Sequence, residues 1–139
     1  MKQVEVIQYF IDLGKQKLAG RVVGLIGDLG IGKTYFVKSF VEVFSGKPAD
    51  QVSSPTYNLC HIYSVNDLEI HHFDLFRIES EEGLYDIGIY DSIENKKVLV
   101  FVEWVDLFPW LADNCDEIIT IKSSGKKAPK YWFDLKTRK

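Results

Sequence analysis

Residues 27–34 read Gly27-Asp28-Leu29-Gly30-Ile31-Gly32-Lys33-Thr34 and match G-x-x-x-x-G-K-[ST], the pattern of a phosphate-binding loop. Glycines in such a loop let backbone N–H groups curve around a polyphosphate, because no Cβ stands in the way. The pattern places the charge of Lys33 where it can bridge the β- and γ-phosphates. It also places the hydroxyl of Thr34 where it can bind Mg²⁺. We therefore predict a nucleotide-binding loop here.

The sequence on either side of the loop supports this prediction, because the motif requires a buried strand before it and a helix after it. Residues 22–26 form a short apolar run rich in β-branched side chains, as in the interior of a parallel sheet. After the loop, apolar residues recur at helical spacing, at Phe36, Val37, Phe40, Val41 and Phe44. Ser45-Gly46 is then typical of a helix end. The local pattern is strand, phosphate loop, helix.

The rest of the pattern predicts an α/β fold of the P-loop NTPase type, with three layers (α/β/α) around a mixed sheet. Two strand-like runs around a short polar turn indicate an antiparallel hairpin within that sheet. The expected elements are a helix at 4–18, a loop at 47–53, the hairpin strands at 58–63 and 68–73, a helix starting at Ser80, a central strand at 98–102, a short helix at 106–112, and strands at 117–122 and 131–135. No linker interrupts the pattern, so we expect a single P-loop ATPase domain over residues 1–139.

The bulk composition is that of an ordinary globular protein, with 46% hydrophobic and 27% charged residues. We expect no membrane span and no signal peptide, and the two cysteines, far apart, are typical of a reduced cytoplasmic protein. The net charge of −3 argues against broad nucleic-acid binding. Residues 122–139, however, carry seven Lys or Arg and one acid. This basic segment is either a solvated terminal strand and tail or a contact surface for tRNA or an acidic partner.

Hydrolysis of a bound nucleotide requires carboxylates beside the phosphate loop, usually at the carboxyl ends of strands. Asp74 and Glu103 each follow a predicted strand directly, and we interpret both as candidate catalytic groups. Thr56, in Ser54-Pro55-Thr56-Tyr57, is placed like a switch threonine, although by composition the segment is only a turn. Two further features stay open. At least one of His71 and His72 is expected to pack in the core. Trp104 either forms a wall of the nucleotide site or packs in the core.

Four motifs taken together resemble the bacterial TsaE (YjeE) family: residues 27–34, then Ser54-Pro55-Thr56-Tyr57, then His72-Phe73-Asp74-Leu75-Phe76-Arg77, then Val102-Glu103-Trp104. Their order and spacing agree over roughly residues 4–122. The resemblance implies a small P-loop ATPase needed to make threonylcarbamoyladenosine in tRNA. It further implies TsaD and TsaB proteins as partners, with ATP turnover resetting or reorganising their complex.

The resemblance also implies roles for individual residues. Residues 28–34 would bind ATP, and Thr34 with Glu103 would hold Mg²⁺. Asp74 would act near the γ-phosphate or a metal-bound water, with Thr56 on a nucleotide-sensitive switch. Asp106 would lie near the nucleotide base. The sequence departs from the family pattern at Tyr35, where a second Thr is usual.

Two other classes of protein share the phosphate loop. A small-molecule kinase usually needs an arginine-bearing lid, whereas this chain has three arginines and little length for a lid. A GTPase usually reads guanine with N-K-x-D, and Asn95-Lys96-Lys97-Val98 places Val98 where the Asp should stand. A binding competition between ATP and GTP would distinguish a GTPase from an ATPase.

Overall fold

In the part of the chain that the structure describes, the phosphate loop follows one of the two central strands of a six-stranded mixed sheet. The computed structural model describes residues 1–54, 60–125, 127 and 129–138. The strands are β1 Val22–Ile26, β2 Cys60–Val65, β3 Leu68–Asp74, β4 Val98–Glu103, β5 Glu117–Ser123 and β6 Tyr131–Thr137. The helices are α1 Gln3–Leu18, α2 Lys33–Ser45, α3 Ala49–Val52, α4 Glu81–Asp86, α5 Ile89–Glu94 and α6 Pro109–Asp113, with a 3₁₀ helix at Val105–Leu107.

The strand order is β2-β3-β4-β1-β5-β6. The four inner strands are parallel to one another, while β2 and β6 add antiparallel edges. All six residues of β4 are buried, as expected of an apolar run covered on both faces of a parallel sheet. The mixed sheet with an antiparallel hairpin is therefore confirmed.

Helices cover both faces of the sheet and give the predicted three layers. On one face α1 and α2 pack through Phe10, Phe36 and Phe40. On the other face α4, α5 and α6 pack through Leu84, Ile89 and Leu111. No helix in the described part of the chain has the length and apolarity that crossing a membrane requires.

Two local predictions need correction. The expected loop at 47–53 contains the short helix α3, which begins after Pro48. Proline fixes φ near the helical value and often precedes or begins a helix, so this signal was available in the sequence. The expected helix at 106–112 is a 3₁₀ turn followed by α6, with Phe108 non-helical between them because Pro109 restricts the residue before it.

The hairpin turn shows why the β2–β3 prediction succeeds. Asn66 and Asp67 both have positive φ, at 50° and 66°. This is the backbone of a two-residue type I′ turn, which favours Asn and Asp and matches the twist of the paired strands. The turn also sets the β2–β3 register, in which Val65 pairs with Leu68 and Cys60 with Phe73.

Candidate functional site

The phosphate loop has the backbone that its glycines permit. Gly30 and Gly32 adopt φ of +78° and +116°, a region that residues with a Cβ rarely occupy. A Cβ on either would meet no atom within 4 Å, so the loop borders open space at both positions. Glycine is therefore required by the positive φ and not by a lack of room. Gly27 is different, because a Cβ there would approach Ile31 Cγ2 to 2.8 Å. The loop leads into the thirteen-residue helix α2, whose N-terminus is a favourable position for an anion.

Lys33 is buried at the start of α2. Its Nζ donates hydrogen bonds to the carbonyl oxygens of Gly27, at 2.5 Å, and Asp28, at 3.0 Å. The ammonium also lies 4.1 Å from the ring centroid of Trp104, a cation–π contact. Burial lowers the pKa of Lys33, and the negative charges of Glu103 and Asp74 partly oppose that effect. The loop thus holds one desolvated positive charge next to two carboxylates.

Glu103 joins the loop to the end of β4. Its Oε2 accepts a 2.6 Å hydrogen bond from Thr34 Oγ1 and a 2.5 Å hydrogen bond from His72 Nε2. The residue is only 3% exposed, and burial by itself raises the pKa of a carboxyl group. Hydrogen bonds from His72 and Thr34, with the charge of Lys33, outweigh burial and hold the pKa of Glu103 below its ordinary value. Glu103 is therefore an ionised carboxylate held in one position.

His72 is a site residue that the sequence reasoning did not assign. It lies on β3, two residues before Asp74, and the alternation of a strand puts both side chains on one face of the sheet. Its Nδ1 is buried and has no hydrogen-bond partner among the described residues. The i, i+2 spacing from Asp74 was a usable signal. The neighbouring His71 points to the other face, where it bonds Ser92 at 2.7 Å and Glu69 at 2.9 Å.

Asp74 lies beside Glu103 because β3 and β4 are parallel and in register, with Asp74 paired to Glu103. It is exposed, and its Oδ1 accepts a hydrogen bond from the backbone N–H of Phe76 at 3.0 Å. The two carboxylates and the loop border one cavity of about 220 Å³, lined by Leu29, Gly30, Gly32, Lys33, Thr34, Tyr35, Asp74, Glu103 and Trp104. The structure thus brings together Thr34, Asp74 and Glu103, which the family resemblance assigned to metal and water, beside the loop lysine Lys33.

Trp104 walls this cavity in a strained backbone conformation, with φ of +61°. A bulky residue with positive φ costs on the order of 1–3 kcal/mol and often marks a functional position. Its indole contacts Phe76, with ring centroids 4.9 Å apart, as well as Lys33. Trp104 is partly buried and also packs against the apolar core that α4, α5 and α6 cover, so both interpretations left open above apply.

Asp106 lies on the far side of Trp104. It is exposed on the 3₁₀ helix and borders a second cavity, of about 430 Å³, together with Gly27, Asp28 and Trp132. A third cavity, of about 420 Å³, opens beside Gly32 between Tyr35 and Tyr131. Thr56 lies outside the described residues.

The residues present fit a nucleoside triphosphate with Mg²⁺. Thr34 and Glu103 offer the hydroxyl and carboxylate oxygens that Mg²⁺ prefers, and Lys33 offers a charge for phosphate. Among the residues that the structure describes, no three His, Cys, Asp or Glu side chains converge on a common metal position. Mg²⁺ in nucleotide sites commonly takes one or two protein ligands and completes its shell with phosphate and water.

Several proteins of known family resemble this chain. A tRNA threonylcarbamoyladenosine biosynthesis protein TsaE from Rickettsia typhi is 37% identical over 90 residues, which are 65% of this chain and 60% of that protein. Its counterpart from Haemophilus influenzae is 32% identical over 100 residues, 72% of this chain and 61% of that protein. The chain thus spans about three fifths of the length of these curated relatives.

The fold has a relative among solved structures. The crystal structure of Bacillus subtilis YdiB aligns with a TM-score of 0.59 and 22% identity, covering 99% of this chain and 82% of that one. The family model described as threonylcarbamoyl adenosine biosynthesis protein TsaE matches residues 2–130. That match includes the phosphate loop, both strand-terminal carboxylates and the parallel strands that align them, and the chain belongs to the TsaE family.

Proposed function

We propose that this chain is the ATP-binding and slowly hydrolysing subunit of the cytoplasmic complex that forms threonylcarbamoyladenosine in tRNA. Its ATP turnover resets or reorganises TsaD-like and TsaB-like partner proteins, which carry out the chemistry on the tRNA. Residues 1–139 act as a single P-loop ATPase domain. Family membership supports the pathway, and the site supports the nucleotide and the reaction.

The observation that carries the proposal is the contact between Thr34 Oγ1 and Glu103 Oε2 beside the ammonium of Lys33. A phosphate loop alone accounts for nucleotide binding. The carboxylate of Glu103, at the end of β4 and hydrogen-bonded to the loop hydroxyl of Thr34, also provides a place for Mg²⁺. An ion held there would supply charge neutralisation for the transferred phosphoryl group. Lys33 would bind the β- and γ-phosphates, and Thr34 with Glu103 would hold the ion.

Asp74 is the best-placed group to orient the attacking water. It borders the same cavity as Lys33 and Glu103, and it is more exposed than Glu103. An exposed carboxylate can accept a hydrogen bond from water without the displacement of a buried partner. We place Thr56 on a nucleotide-sensitive switch, and Asp106 near the base, because its cavity continues from the loop residues Gly27 and Asp28.

The isolated subunit is expected to turn over slowly. Strong phosphoryl-transfer catalysis commonly uses an arginine at the developing charge, supplied in the same chain or by a partner. Arg77 is the one arginine close in sequence to the proposed catalytic groups, and it is exposed. Partner proteins can complete such a site by ordering a loop or by supplying a cation.

The test measures steady-state ATP hydrolysis by the chain alone and with purified TsaD and TsaB proteins from the same organism. We expect slow hydrolysis alone and a faster rate with both partners present. Fast turnover that the partners leave unchanged would contradict the proposed role. A parallel competition with GTP checks the nucleotide, and we expect ATP to bind more tightly.

We also propose that the basic C-terminal segment, residues 122–139, contacts tRNA in this complex. Its strand β6 forms an edge of the sheet and exposes Tyr131, Trp132 and Lys136. Lys122 is partly neutralised by Asp134, at 2.8 Å, so Lys130 and Lys136 are the better candidates. Replacing both by Ala should weaken tRNA binding and reduce its salt dependence. The slope of the logarithm of the binding constant against the logarithm of the salt concentration should change by about 0.7–0.9 for each lost phosphate contact. An unchanged slope would remove this contact from the proposal.

A further inference from the structure

Three aromatic side chains form a continuous row on the face of the sheet that α4, α5 and α6 cover. The ring centroids of Tyr85 and Tyr90 are 4.4 Å apart, and those of Tyr90 and Trp110 are 5.6 Å apart with planes 8° from parallel. Each ring comes from a different helix: α4, α5 and α6 respectively. We call Tyr85, Tyr90 and Trp110 the aromatic row.

The row is too exposed to serve only as packing. Tyr85 is 69% exposed and Trp110 is 37% exposed. Tyr and Trp are enriched in the centres of protein interfaces, where they bury a large area at a low cost in side-chain entropy. Scattered exposed aromatics need no explanation, but three rings in mutual contact form a patch. A surface of this kind is typical of a docking site.

The charge around the row indicates what docks there. Residues 78–95, which contain α4 and α5, carry acids at Glu79, Glu81, Glu82, Asp86, Asp91 and Glu94, and this segment contains no Lys or Arg. All six acids are exposed. The negative charge of Glu81 reaches the row itself, since it contributes, after burial and Tyr85, to raising the pKa of Tyr90. Such a surface repels nucleic acid and attracts cationic groups.

The row is also connected to the nucleotide site through the backbone. Helix α4 follows Asp74 at the end of β3, and α6 follows Glu103 and Trp104 at the end of β4. Trp104 contacts Lys33 on one side and Phe76, on the segment leading to α4, on the other. A shift of Lys33 or Glu103 on nucleotide binding would therefore act on both segments that carry the ends of the row.

We infer that the aromatic row and its acidic border bind a basic segment of a protein partner, with arginine or lysine side chains over the rings and against the carboxylates. Arginine suits such a surface best, because its planar guanidinium stacks on aromatic rings and bonds carboxylates at the same time. This inference rests on the proposed function, which supplies the TsaD–TsaB assembly as the partner. It adds the surface of this chain that the partner uses and the chemistry of the segment that binds there.

The experiment compares two pairs of variants in binding to purified TsaD and TsaB proteins by calorimetry. Tyr85→Ser with Trp110→Ser removes the ends of the row, while Val43→Ser, at a 58% exposed position on the opposite helix layer, is its control. Glu81→Lys with Glu82→Lys reverses two border charges. Asp12→Lys with Asp50→Lys makes the same change in net charge on exposed positions of α1 and α3.

We expect both row and border variants to lose at least tenfold in affinity, about 1.4 kcal/mol, and both controls to retain it. ATP affinity of the isolated chain should stay unchanged in every variant, since none touches the phosphate loop. The affinity of the natural chain should also fall as salt rises. The border variant keeps the test decisive if the row variant fails to fold.

The outcomes separate the two proposals. If the natural chain binds neither partner protein, the proposed function and this inference both fail. If the natural chain binds but the row and border variants bind equally well, only this inference fails. Self-association of the natural chain that the row variant abolishes, measured by light scattering, would assign the row to a second copy of this chain. Loss of tRNA binding in the row variant would assign it to RNA, and either result would overturn the inference.

Discussion

Thr34 and Glu103 are 69 positions apart in the chain, yet Thr34 Oγ1 lies 2.6 Å from Glu103 Oε2. The contact exists because β1 and β4 are parallel neighbours with Leu25 in register with Glu103. Both strands therefore end at the same edge of the sheet, where the loop begins. The sheet register, and not local sequence, places the proposed metal ligands together.

Glu103→Gln tests the proposed Mg²⁺ site directly. The amide keeps the size of the side chain but loses the charge, so Mg²⁺ should bind more weakly and ATP hydrolysis should fall by about a hundredfold. ATP should still bind, because the loop backbone and Lys33 remain. Calorimetry with ATP in Mg²⁺ or in a chelator, beside a hydrolysis assay, measures both effects. Equal dependence on Mg²⁺ in the variant and the natural chain would show that Glu103 does not hold the ion.

Lys33→Ala removes the buried charge that we propose binds the phosphates of ATP. We expect ATP affinity to fall at least tenfold, about 1.4 kcal/mol. Lys38→Ala is the matched control, since Lys38 lies on the same helix α2 with an exposed side chain. Titration of each variant with ATP provides the comparison. A similar loss in both would indicate a general charge effect and not a contact at the site.

Much of this arrangement was predictable from the sequence, since its signals are local. The loop pattern, the apolar run of β4 and the hairpin turn at Asn66-Asp67 each depend on residues close in the chain. The alignment of Asp74 with Glu103 follows once both strands are taken as parallel neighbours. The left-handed backbone of Trp104 and the contact of His72 with Glu103 did not follow, because each depends on packing between distant segments. The role predicted for Thr56 stays a prediction.

Gly24→Ala should destabilise the fold. A Cβ on Gly24 would lie 2.6 Å from Val105 Cγ1 and 2.7 Å from Ile118 Cδ1, inside the core below α6. Overpacking of this kind typically costs about 1–3 kcal/mol of unfolding free energy. Thermal or urea unfolding measures the loss. Shortening Ile118 to Val in the same chain relieves one of these two contacts and should recover part of the loss, whereas a Gly24→Ala chain as stable as the natural one would contradict the predicted clash.

The thiol of Cys115 should make stability depend on pH in the alkaline range. Burial raises the pKa of Cys115 from the ordinary 9.0 to about 12. A raised pKa of an acid means that the folded state holds the proton more tightly than the unfolded state. The contribution of this thiol to the free energy of unfolding is therefore complete below pH 9.0 and is lost as the pH rises towards about 12. Urea unfolding from pH 7 upward should show a steeper alkaline loss for the natural chain than for Cys115→Ala. Parallel curves would contradict the assignment.

The two neighbouring histidines on β3 provide the sharpest test of the site, because they point to opposite faces of the sheet. His72 donates to the proposed Mg²⁺ ligand Glu103, so His72→Phe should leave the carboxylate held, among the described residues, only by the Thr34 hydroxyl and less firmly oriented. Removing an outer partner of a metal ligand typically costs about 10–100-fold in metal affinity. We expect the Mg²⁺ concentration needed for tight ATP binding to rise by a factor in that range, with ATP affinity in chelator unchanged. His72→Gln keeps an N–H donor and should restore much of the lost Mg²⁺ affinity.

His71→Phe is the control, since His71 contacts Ser92 and Glu69 on the other face, and it should affect unfolding stability alone. Similar Mg²⁺ dependence in the two Phe variants would show that the His72–Glu103 contact does not position the ligand.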